Sequence, residues 1–464
     1  MRILFVIRST EYFHYYKSIV RALLLRGHTL RLLFDRRFSV GELLRISQFA
    51  EEENFKNANF EYDWSVTRDD FFGKILPVSR DLLSSRRYLR QGELALPLPF
   101  KLDWINRLPA AFRWFLKLPG ANFLVLSGAF EKSLEALEKT ASHSRAIAED
   151  IKKFSPDLVV ASPVTFRGSS AETDYLKSAA ALNLTTALPV ISWDNLTARG
   201  LIHTLPTRLL AWNETQKREA IKYMDFPEKR VRVTGAPAFD GWFGNGEQPM
   251  GRQEFCGAYG LRAEDPVVLY LGSSRNIVPD EKRLLRDLRS AFLNSKDEKL
   301  KKTQIIFRPH PGNVRPYRDF NLEGVLVLPR GGALPEAKED FKLFYNSIIH
   351  SVAVVEINTS GIIDTIVAGK PAIAMMMPKY ASSREGTLHF RQLLEAGALE
   401  EAKTPEDCVE IIGKLLLGQD NKKQNREAFI KKYIRPLGLG VPAGEQVVLE
   451  LENLKELSKN KNAA

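Results

Sequence analysis

Three short polar segments in the C-terminal half of the chain each directly follow an apolar run. Their candidate phosphate-binding residues are Gly272, Ser273, Ser274 and Arg275 after VVLYL, Arg308 and His310 in QIIFRPHPG, and Thr359, Ser360 and Gly361 after VVEIN. Glycine allows a ligand to approach the backbone, hydroxyl and N–H groups bind phosphate oxygens, and Arg and His add cationic donors. Each segment alone is also compatible with an ordinary turn or helix cap. Because open α/β sheets bind ligands at the carboxyl ends of their strands, the three segments together predict a site for a phosphate or nucleotide.

Two segments of the N-terminal half carry residues that can act on an acceptor. The first apolar run, RILFVI, is followed by a segment containing Glu11 and His14, and either side chain can serve as a general base. After TALPVIS come Trp193, Asp194 and Asn195, where the carboxylate is a candidate base and the indole can stack on the apolar face of a sugar. The alternative for Asp194 and Asn195 is an ordinary turn or cap.

Several familiar sites are absent from the sequence. It contains no GxGxxG, GxxxxGK[ST] or HExxH motif, which argues against a dehydrogenase, a P-loop nucleotidase and a zinc hydrolase. Two cysteines, Cys256 and Cys408, cannot form a disulfide framework and indicate a reducing compartment. No pair of acidic residues stands at a strand end to hold Mg²⁺. We therefore expect an enzyme that needs no metal and no cofactor.

The elements that must position these residues alternate between apolar strands and amphipathic helices. Uniformly apolar strands are typical of parallel sheets covered by helices on both faces. A glycine-rich stretch, GWFGNGEQPMGR, divides the pattern in two. The sequence thus predicts an α/β fold with two doubly wound, Rossmann-like parallel-sheet domains facing across a cleft. We assign residues 1–240 to an acceptor-side domain, 241–252 to the linker, 253–440 to a nucleotide-donor domain, and 441–464 to a C-terminal helix and tail.

The charge of the chain favours anionic partners. Its 67 basic and 56 acidic residues give a net charge of +11, and no apolar run is long enough to span a bilayer. Residues 74–120 hold nine basic and three acidic residues with aromatic residues among them. We predict a helical insertion with a solvated basic face, and contact with an anionic membrane surface is compatible with it. No recognisable RNA- or DNA-binding motif occurs, so we predict no nucleic-acid partner.

Four features together resemble the GT-B glycosyltransferase superfamily: the β-α-β start with its RGH turn, the glycine-rich linker, the RPHP loop and the NTSGIIDTIVAGKP helix. The resemblance is nearest to surface-polysaccharide and CDP-glycerol glycerophosphotransferase-like members. UDP-N-acetylglucosamine 2-epimerases share the fold and a similar Ser-Gly helix.

The resemblance implies roles for particular residues. It assigns donor binding to the phosphate-binding residues named above and adds Asp364 as a carboxylate near the donor. In EGTLHF, His389 either faces the site or packs internally. The acceptor-side base would come from the segment holding Glu11 and His14.

The function implied is a metal-independent transferase. It would move a sugar or polyol-phosphate group from a nucleotide-sugar or CDP-polyol donor to a glycan or lipid-linked acceptor. The alternatives are a nucleotide-sugar 2-epimerase and a non-catalytic protein of the membrane surface. The expected location is the cytoplasm, with peripheral contact at the inner face of the cell membrane left open.

Overall fold

The computed structural model describes residues 1–55, 59–89, 104–243, 249–333, 338–381 and 387–463. These residues form two compact units. Unit 1 contains the described residues of 1–240 together with 431–463, and unit 2 contains those of 241–430. None of the described helices is both long enough and apolar enough to cross a membrane.

Unit 1 is built on a seven-stranded parallel sheet in the order β3-β2-β1-β4-β5-β6-β7. Its strands are β1 Arg2–Ile7, β2 Thr29–Phe34, β3 Phe60–Trp64, β4 Leu158–Ser162, β5 Thr185–Pro189, β6 Arg208–Ala211 and β7 Val231–Val233. The central strands are buried on both faces, as their apolar runs predict. The edge strand β3 was not predicted, because FEYDW mixes apolar and charged residues and is only partly buried.

Helices cover both faces of this sheet. They are α1 Lys17–Leu25, α2 Leu44–Glu52, α3 Phe71–Leu89, α4 Ala110–Phe115, α5 Ala121–Leu126, α6 Gly128–Thr140, α7 Arg145–Phe154, α8 Ala171–Ala181, α9 Asn195–Ala198, α10 Glu214–Met224 and α19 Ala443–Ala463. A 3₁₀ helix, Thr10–Tyr16, leads into α1. Gly27, in the RGH turn after α1, has a φ of +74°, the left-handed conformation that favours glycine after a helix.

Residues 431–440 belong to unit 1, which corrects the predicted second domain of 253–440. The carbonyl of Tyr433 accepts a hydrogen bond from the side chain of Asn213. Arg435 pairs with Asp240 at 2.7 Å. The same Asp240 carboxylate accepts the first amide N–H groups of α19, so the chain returns to unit 1 before its last helix begins.

Unit 2 has a six-stranded parallel sheet in the order β10-β9-β8-β11-β12-β13. Its strands are β8 Val267–Leu271, β9 Gln304–Arg308, β10 Val325–Val327, β11 Val354–Glu356, β12 Ala372–Met375 and β13 Glu400–Ala402. Its helices are α11 Arg252–Ala258, α12 Lys282–Leu293, α13 Glu298–Lys301, α14 Lys338–Ile349, α15 Gly361–Val367, α16 Leu388–Glu395, α17 Pro405–Leu416 and α18 Lys423–Phe429. Two doubly wound parallel-sheet units are thus confirmed. Part of the predicted linker, 244–248, lies outside the described residues.

The basic insertion is helical, but the prediction of a solvated basic face is wrong for its two most deeply placed arginines. Arg80 is fully buried and forms paired hydrogen bonds of 2.8 and 3.0 Å to Glu138, with a third of 2.9 Å to Asp174. Arg86 is buried and pairs with Glu131 at 2.8 Å. Carboxylates from α6 and α8 therefore neutralise these cations inside unit 1, and residues 90–103 of the insertion lie outside the described residues.

Candidate active site

The three polar segments of unit 2 follow neighbouring strands, because β9, β8 and β11 are adjacent in the sheet. The first two segments touch directly. The Gly272 amide donates to the Arg308 carbonyl at 2.9 Å. A Cβ at Gly272 would lie 3.2 Å from both that carbonyl oxygen and the His310 nitrogen, so a side chain there would separate the loops. A Cβ at Gly361 would lie 2.9 Å from the side chain of Leu271 at the end of β8. Two glycines thus allow the three segments to pack together.

Ser273 is a structural residue of this edge. Its amide donates to Glu281 at 2.9 Å and its hydroxyl to the same carboxylate at 3.2 Å, and it is fully buried. Tyr270 also donates to Glu281 at 2.9 Å. The side chain of Asn313 donates to the Ser273 carbonyl at 3.3 Å. The predicted phosphate-binding groups of Ser273 are therefore engaged within the protein. The neighbouring Ser274 is half-buried, and its hydroxyl has no hydrogen-bond partner among the described residues.

His310 presents its Nε2–H group as a hydrogen-bond donor. Its Nδ1 accepts the amide N–H of Gly312 at 3.0 Å, so the proton of the neutral imidazole sits on Nε2. Burial lowers the pKa of His310, which keeps the ring neutral near pH 7. The imidazole is therefore a neutral Nε2–H donor to an anion, and not a general base at that nitrogen.

Arg308 is a buried cation with an unfilled donor. Its Nη2 donates to the Ala333 carbonyl at 2.8 Å, whereas its buried Nη1 meets no acceptor among the described residues. Burial lowers the pKa of Arg308 to about 10, and the carboxyls of Asp340 and Asp364 partly offset this effect. The guanidinium remains charged at neutral pH and lies over the Phe344 ring at 4.9 Å. A buried cation with a free N–H favours an anionic ligand.

Asp364 stands close to this cation and is poised to be neutral. Burial raises the pKa of its carboxyl to about 7, although the Trp242 indole donates to it at 2.9 Å and Arg308 attracts its negative charge. Below pH 7 the protonated form of Asp364 predominates, and that form adds no negative charge to the site. This state is compatible with a phosphate group nearby.

The third segment contributes the Ser360 hydroxyl to the site. The Thr359 amide is engaged with Glu356 at 2.7 Å. Ser360 is exposed and precedes α15 without capping it, so its hydroxyl is available. The unit 2 donor set is therefore Ser274, Arg308, His310 and Ser360. Of the other predicted residues, Arg275 is exposed and His389 is buried in the first turn of α16, the packed alternative.

Unit 1 carries a second polar cluster where β1, β4 and β5 end. Arg8, immediately after β1, is buried and its Nη1 lies 3.7 Å from Glu172 in the first turn of α8. Neither carboxylate oxygen of Glu172 makes a hydrogen bond of ordinary geometry with a described residue. Burial raises the pKa of Glu172, and Arg8 partly offsets this effect. A buried carboxyl with unfilled hydrogen-bonding capacity is a group that can carry a proton in a reaction.

Aromatic and cationic side chains surround this pair. The Phe166 ring lies 5.3 Å from Tyr12, 5.3 Å from the Arg8 guanidinium and 4.8 Å from the Arg199 guanidinium. Arg199 forms a 3.0 Å ion pair with Asp194. The predicted Asp194 thus lies in the same cluster as Arg8 and Tyr12, held as a carboxylate by Arg199.

The two predicted bases of the first loop differ in their suitability. Burial alone would raise the pKa of Glu11, but amide N–H groups of Gly41 and Val40 donate to it at 2.8 and 2.9 Å and the net pKa is lowered. Glu11 thus anchors a loop and is a weak base. Burial lowers the pKa of His14 to about 4, and its Nδ1 hydrogen bond of 2.7 Å to the Glu11 carbonyl leaves the lone pair on Nε2. His14 is therefore neutral at pH 7 with an open Nε2 lone pair, but its lowered pKa makes it, like Glu11, a weak base.

The remaining predicted acceptor residues differ in exposure. Asn195 is buried, and its side-chain oxygen accepts the amides of Ile191 and Ser192 at 3.2 and 2.9 Å, which is the turn alternative. Trp193 is half-buried beside it.

Comparison with solved structures identifies the architecture. A UDP-GlcNAc 2-epimerase from Methanocaldococcus jannaschii matches with a TM-score of 0.54 at 14% identity, over 98% of this chain and 100% of that one. The Neisseria meningitidis UDP-GlcNAc 2-epimerase bound to UDP-GlcNAc matches with a TM-score of 0.53 at 13% identity, with the same coverage. A glycosyltransferase from Rickettsia africae matches with a TM-score of 0.52 at 12% identity, over 99% of each chain. The chain has the GT-B fold. The sequence matches no protein-family model and no curated protein.

Within this GT-B chain, three residues of the two clusters escaped the sequence analysis. Glu281 directly precedes α12, and only the packed structure shows that it holds Ser273. Arg8 and Glu172 are far apart in sequence, and no local pattern joins them. Their only signal was position: Arg8 directly follows a predicted strand, and Glu172 opens a predicted helix.

No three His, Cys, Asp or Glu side chains of the described part of the chain lie close enough together to hold a metal ion. Independence from metal and cofactor stays a prediction.

Proposed function

We propose that this GT-B protein is an enzyme that binds a nucleotide sugar through its diphosphate on unit 2. The observation that carries the proposal is Arg308, a buried cation whose Nη1 donor is unfilled among the described residues. The Nε2–H of His310 and the hydroxyls of Ser274 and Ser360 belong to the same sheet edge. Cationic and neutral hydrogen-bond donors suit a diphosphate, and the carboxyls that interact with Arg308 are those of Asp340 and Asp364. The solved relatives supply independent support, since several were determined with UDP or UDP-GlcNAc.

Of the reactions open to such a site, we propose 2-epimerisation of the nucleotide sugar first. Several of the similar solved structures are of UDP-GlcNAc 2-epimerases. Epimerisation removes a proton from a carbon and returns one to its opposite face, so it requires groups that can both accept and donate protons. Unit 1 carries two such carboxyls, Glu172 with its raised pKa and Asp194 ion-paired with Arg199, whereas the lowered pKa of His14 makes it a weaker candidate. Carboxyls in contrasting environments are typical of acid–base pairs.

The experiment is incubation of the protein with UDP-GlcNAc alone in D₂O, followed by NMR. Epimerisation predicts formation of the manno isomer and deuterium at C2, with no acceptor added. The Glu172→Gln variant should lose at least about 100-fold in rate if Glu172 transfers a proton. The matched control is Glu149→Gln, which changes a solvent-exposed glutamate on α7 and should retain the wild-type rate. Absence of isomer and of deuterium would remove the epimerase proposal.

Group transfer to an acceptor is the second candidate. The observation that favours it is an exposed apolar and basic surface on α4 and α5, which suits an enzyme whose acceptor is linked to a lipid. Incubation with a panel of UDP, CDP and GDP donors, CDP-glycerol among them, and a lipid-linked acceptor tests it. Release of the nucleotide that depends on the acceptor would support transfer, and release that is absent with every donor would exclude it.

A further inference from the structure

Two short helices of unit 1 expose apolar side chains that a soluble surface ordinarily covers. In the α4–α5 surface, defined by residues 113–124, Trp114 is 64% exposed, Phe123 81% and Leu124 57%. Leu118, between the helices, is 39% exposed. A cluster of large, exposed apolar side chains is typical of an interaction site.

The opposite side of the same helices is packed, so the exposure is not a consequence of poor folding. Ala121 and Val125, one turn apart on α5, are each only 2% exposed. Phe112 contacts Phe115 and Phe130, with ring centroids 5.6 and 6.4 Å apart. One face of α4 and α5 therefore packs against the protein, with Phe112 on Phe130 of α6, and the other face is exposed to solvent.

The charge of this region selects the partner. Between residues 104 and 130 the sequence contains no acidic residue. Arg113 and Lys117 are exposed and form no ion pair with a described residue. They differ in this from Arg80 and Arg86, which are buried and neutralised by carboxylates.

We propose that the α4–α5 surface docks on an anionic lipid membrane. Trp and Phe side chains insert at the interface between headgroups and acyl chains, and the cations pair with anionic headgroups. A second copy of this chain is disfavoured as the occupant, because a two-fold interface would bring Arg113 and Lys117 of both copies together without an acidic partner. The proposal is independent of the proposed nucleotide-sugar reaction.

The test is co-sedimentation of the full chain with vesicles of phosphatidylcholine containing phosphatidylserine, against phosphatidylcholine alone. We expect binding to the anionic vesicles that weakens as salt rises from about 0.05 to 0.5 M. Loss of each cation should weaken binding about fivefold, so an Arg113→Gln/Lys117→Gln variant should bind about 25-fold less tightly. A Phe123→Ser/Leu124→Ser variant should lose binding at both salt concentrations.

Matched controls carry the same changes elsewhere on the surface. Arg283→Gln removes a cation whose side chain is 87% exposed, and Leu417→Ser removes an apolar side chain that is 76% exposed. Both should bind vesicles as the wild type does. Thermal melts check that each variant folds, and UDP binding without vesicles tests the proposed function separately. Equal binding to neutral vesicles, no binding at all, or a dimer that the Phe123 variant abolishes would overturn the membrane proposal.

Discussion

Ionisation of Asp364 should weaken nucleotide-sugar binding as the pH rises through about 7. Burial raises the pKa of this carboxyl from 3.8 to about 7, so it is protonated below that pH and charged above it. A carboxylate about 5 Å from a phosphate, at an effective dielectric constant of 20, repels it by about 3 kcal/mol. That repulsion corresponds to a factor of more than about 100 in Kd, so only the protonated protein should bind. The population of that form then limits affinity, and Kd should rise about tenfold or more between pH 6.5 and 8.5.

The assay is isothermal titration calorimetry with UDP-GlcNAc, whose diphosphate diester does not titrate in this range. Burial lowers the pKa of His310, so its titration lies toward the acid side of this range, and Arg308 remains charged with a pKa of about 10. The Asp364→Asn variant is the matched control, since it keeps an acceptor for the Trp242 indole. Its Kd should change with pH much less than that of the wild type. A flat profile in the wild type, or the same slope in both proteins, would refute the reasoning.

Three further predictions concern groups buried in the two units. Burial raises the pKa of Glu281 to about 7, so this side chain stabilises the fold at low pH and that stabilisation is lost as the pH rises through about 7. In thermal melts between pH 5 and 8, the Tm of Glu281→Gln should therefore fall less steeply with pH than the Tm of the wild type. Arg80→Ala removes the cation that Glu138 and Asp174 share and leaves Glu138 with Lys177 alone. It should cost about 3–5 kcal/mol and lower Tm by roughly 6 °C or more in calorimetry, whereas the exposed Arg283→Ala should change Tm little. Arg8→Met removes the cation next to Glu172 and should raise the pKa of that carboxyl further. The limb of the pH–rate profile that reports Glu172 should then shift to higher pH. An unshifted profile would argue against Glu172 as the titrating group.

The sequence predicted the strands and the loops that follow them because these depend on local patterns. The apolar runs predicted the strands β8, β9 and β11. The short polar segments that follow these strands contain the predicted ligand-binding residues Arg308, His310 and Ser360. What the sequence could not give was which groups are already engaged. Ser273 looked like a phosphate ligand until Glu281, eight residues further on, was seen to accept both of its donors.

The prediction of a solvated basic face from the charge pattern was wrong for Arg80 for a similar reason. The basic residues of 74–120 suggested a solvated face, but Arg80 is fully buried because Glu138 and Asp174 reach it from distant helices. Only three-dimensional packing distinguishes that arginine from Arg113, which is exposed. The mixed strand Phe60–Trp64 was missed because an edge strand is partly exposed and carries no continuous apolar run.

The measurement that tests the central claim most directly is the affinity of UDP for wild-type protein and for a Ser274→Ala/His310→Ala/Ser360→Ala variant, with Arg283→Ala as the control. The unit 2 donor set predicts saturable binding by the wild type and by the control, and a loss of about 100-fold or more in the triple variant, from three hydrogen bonds of about 1 kcal/mol each. Equal affinity in all three proteins, or no binding of any nucleotide to the wild type, would contradict it.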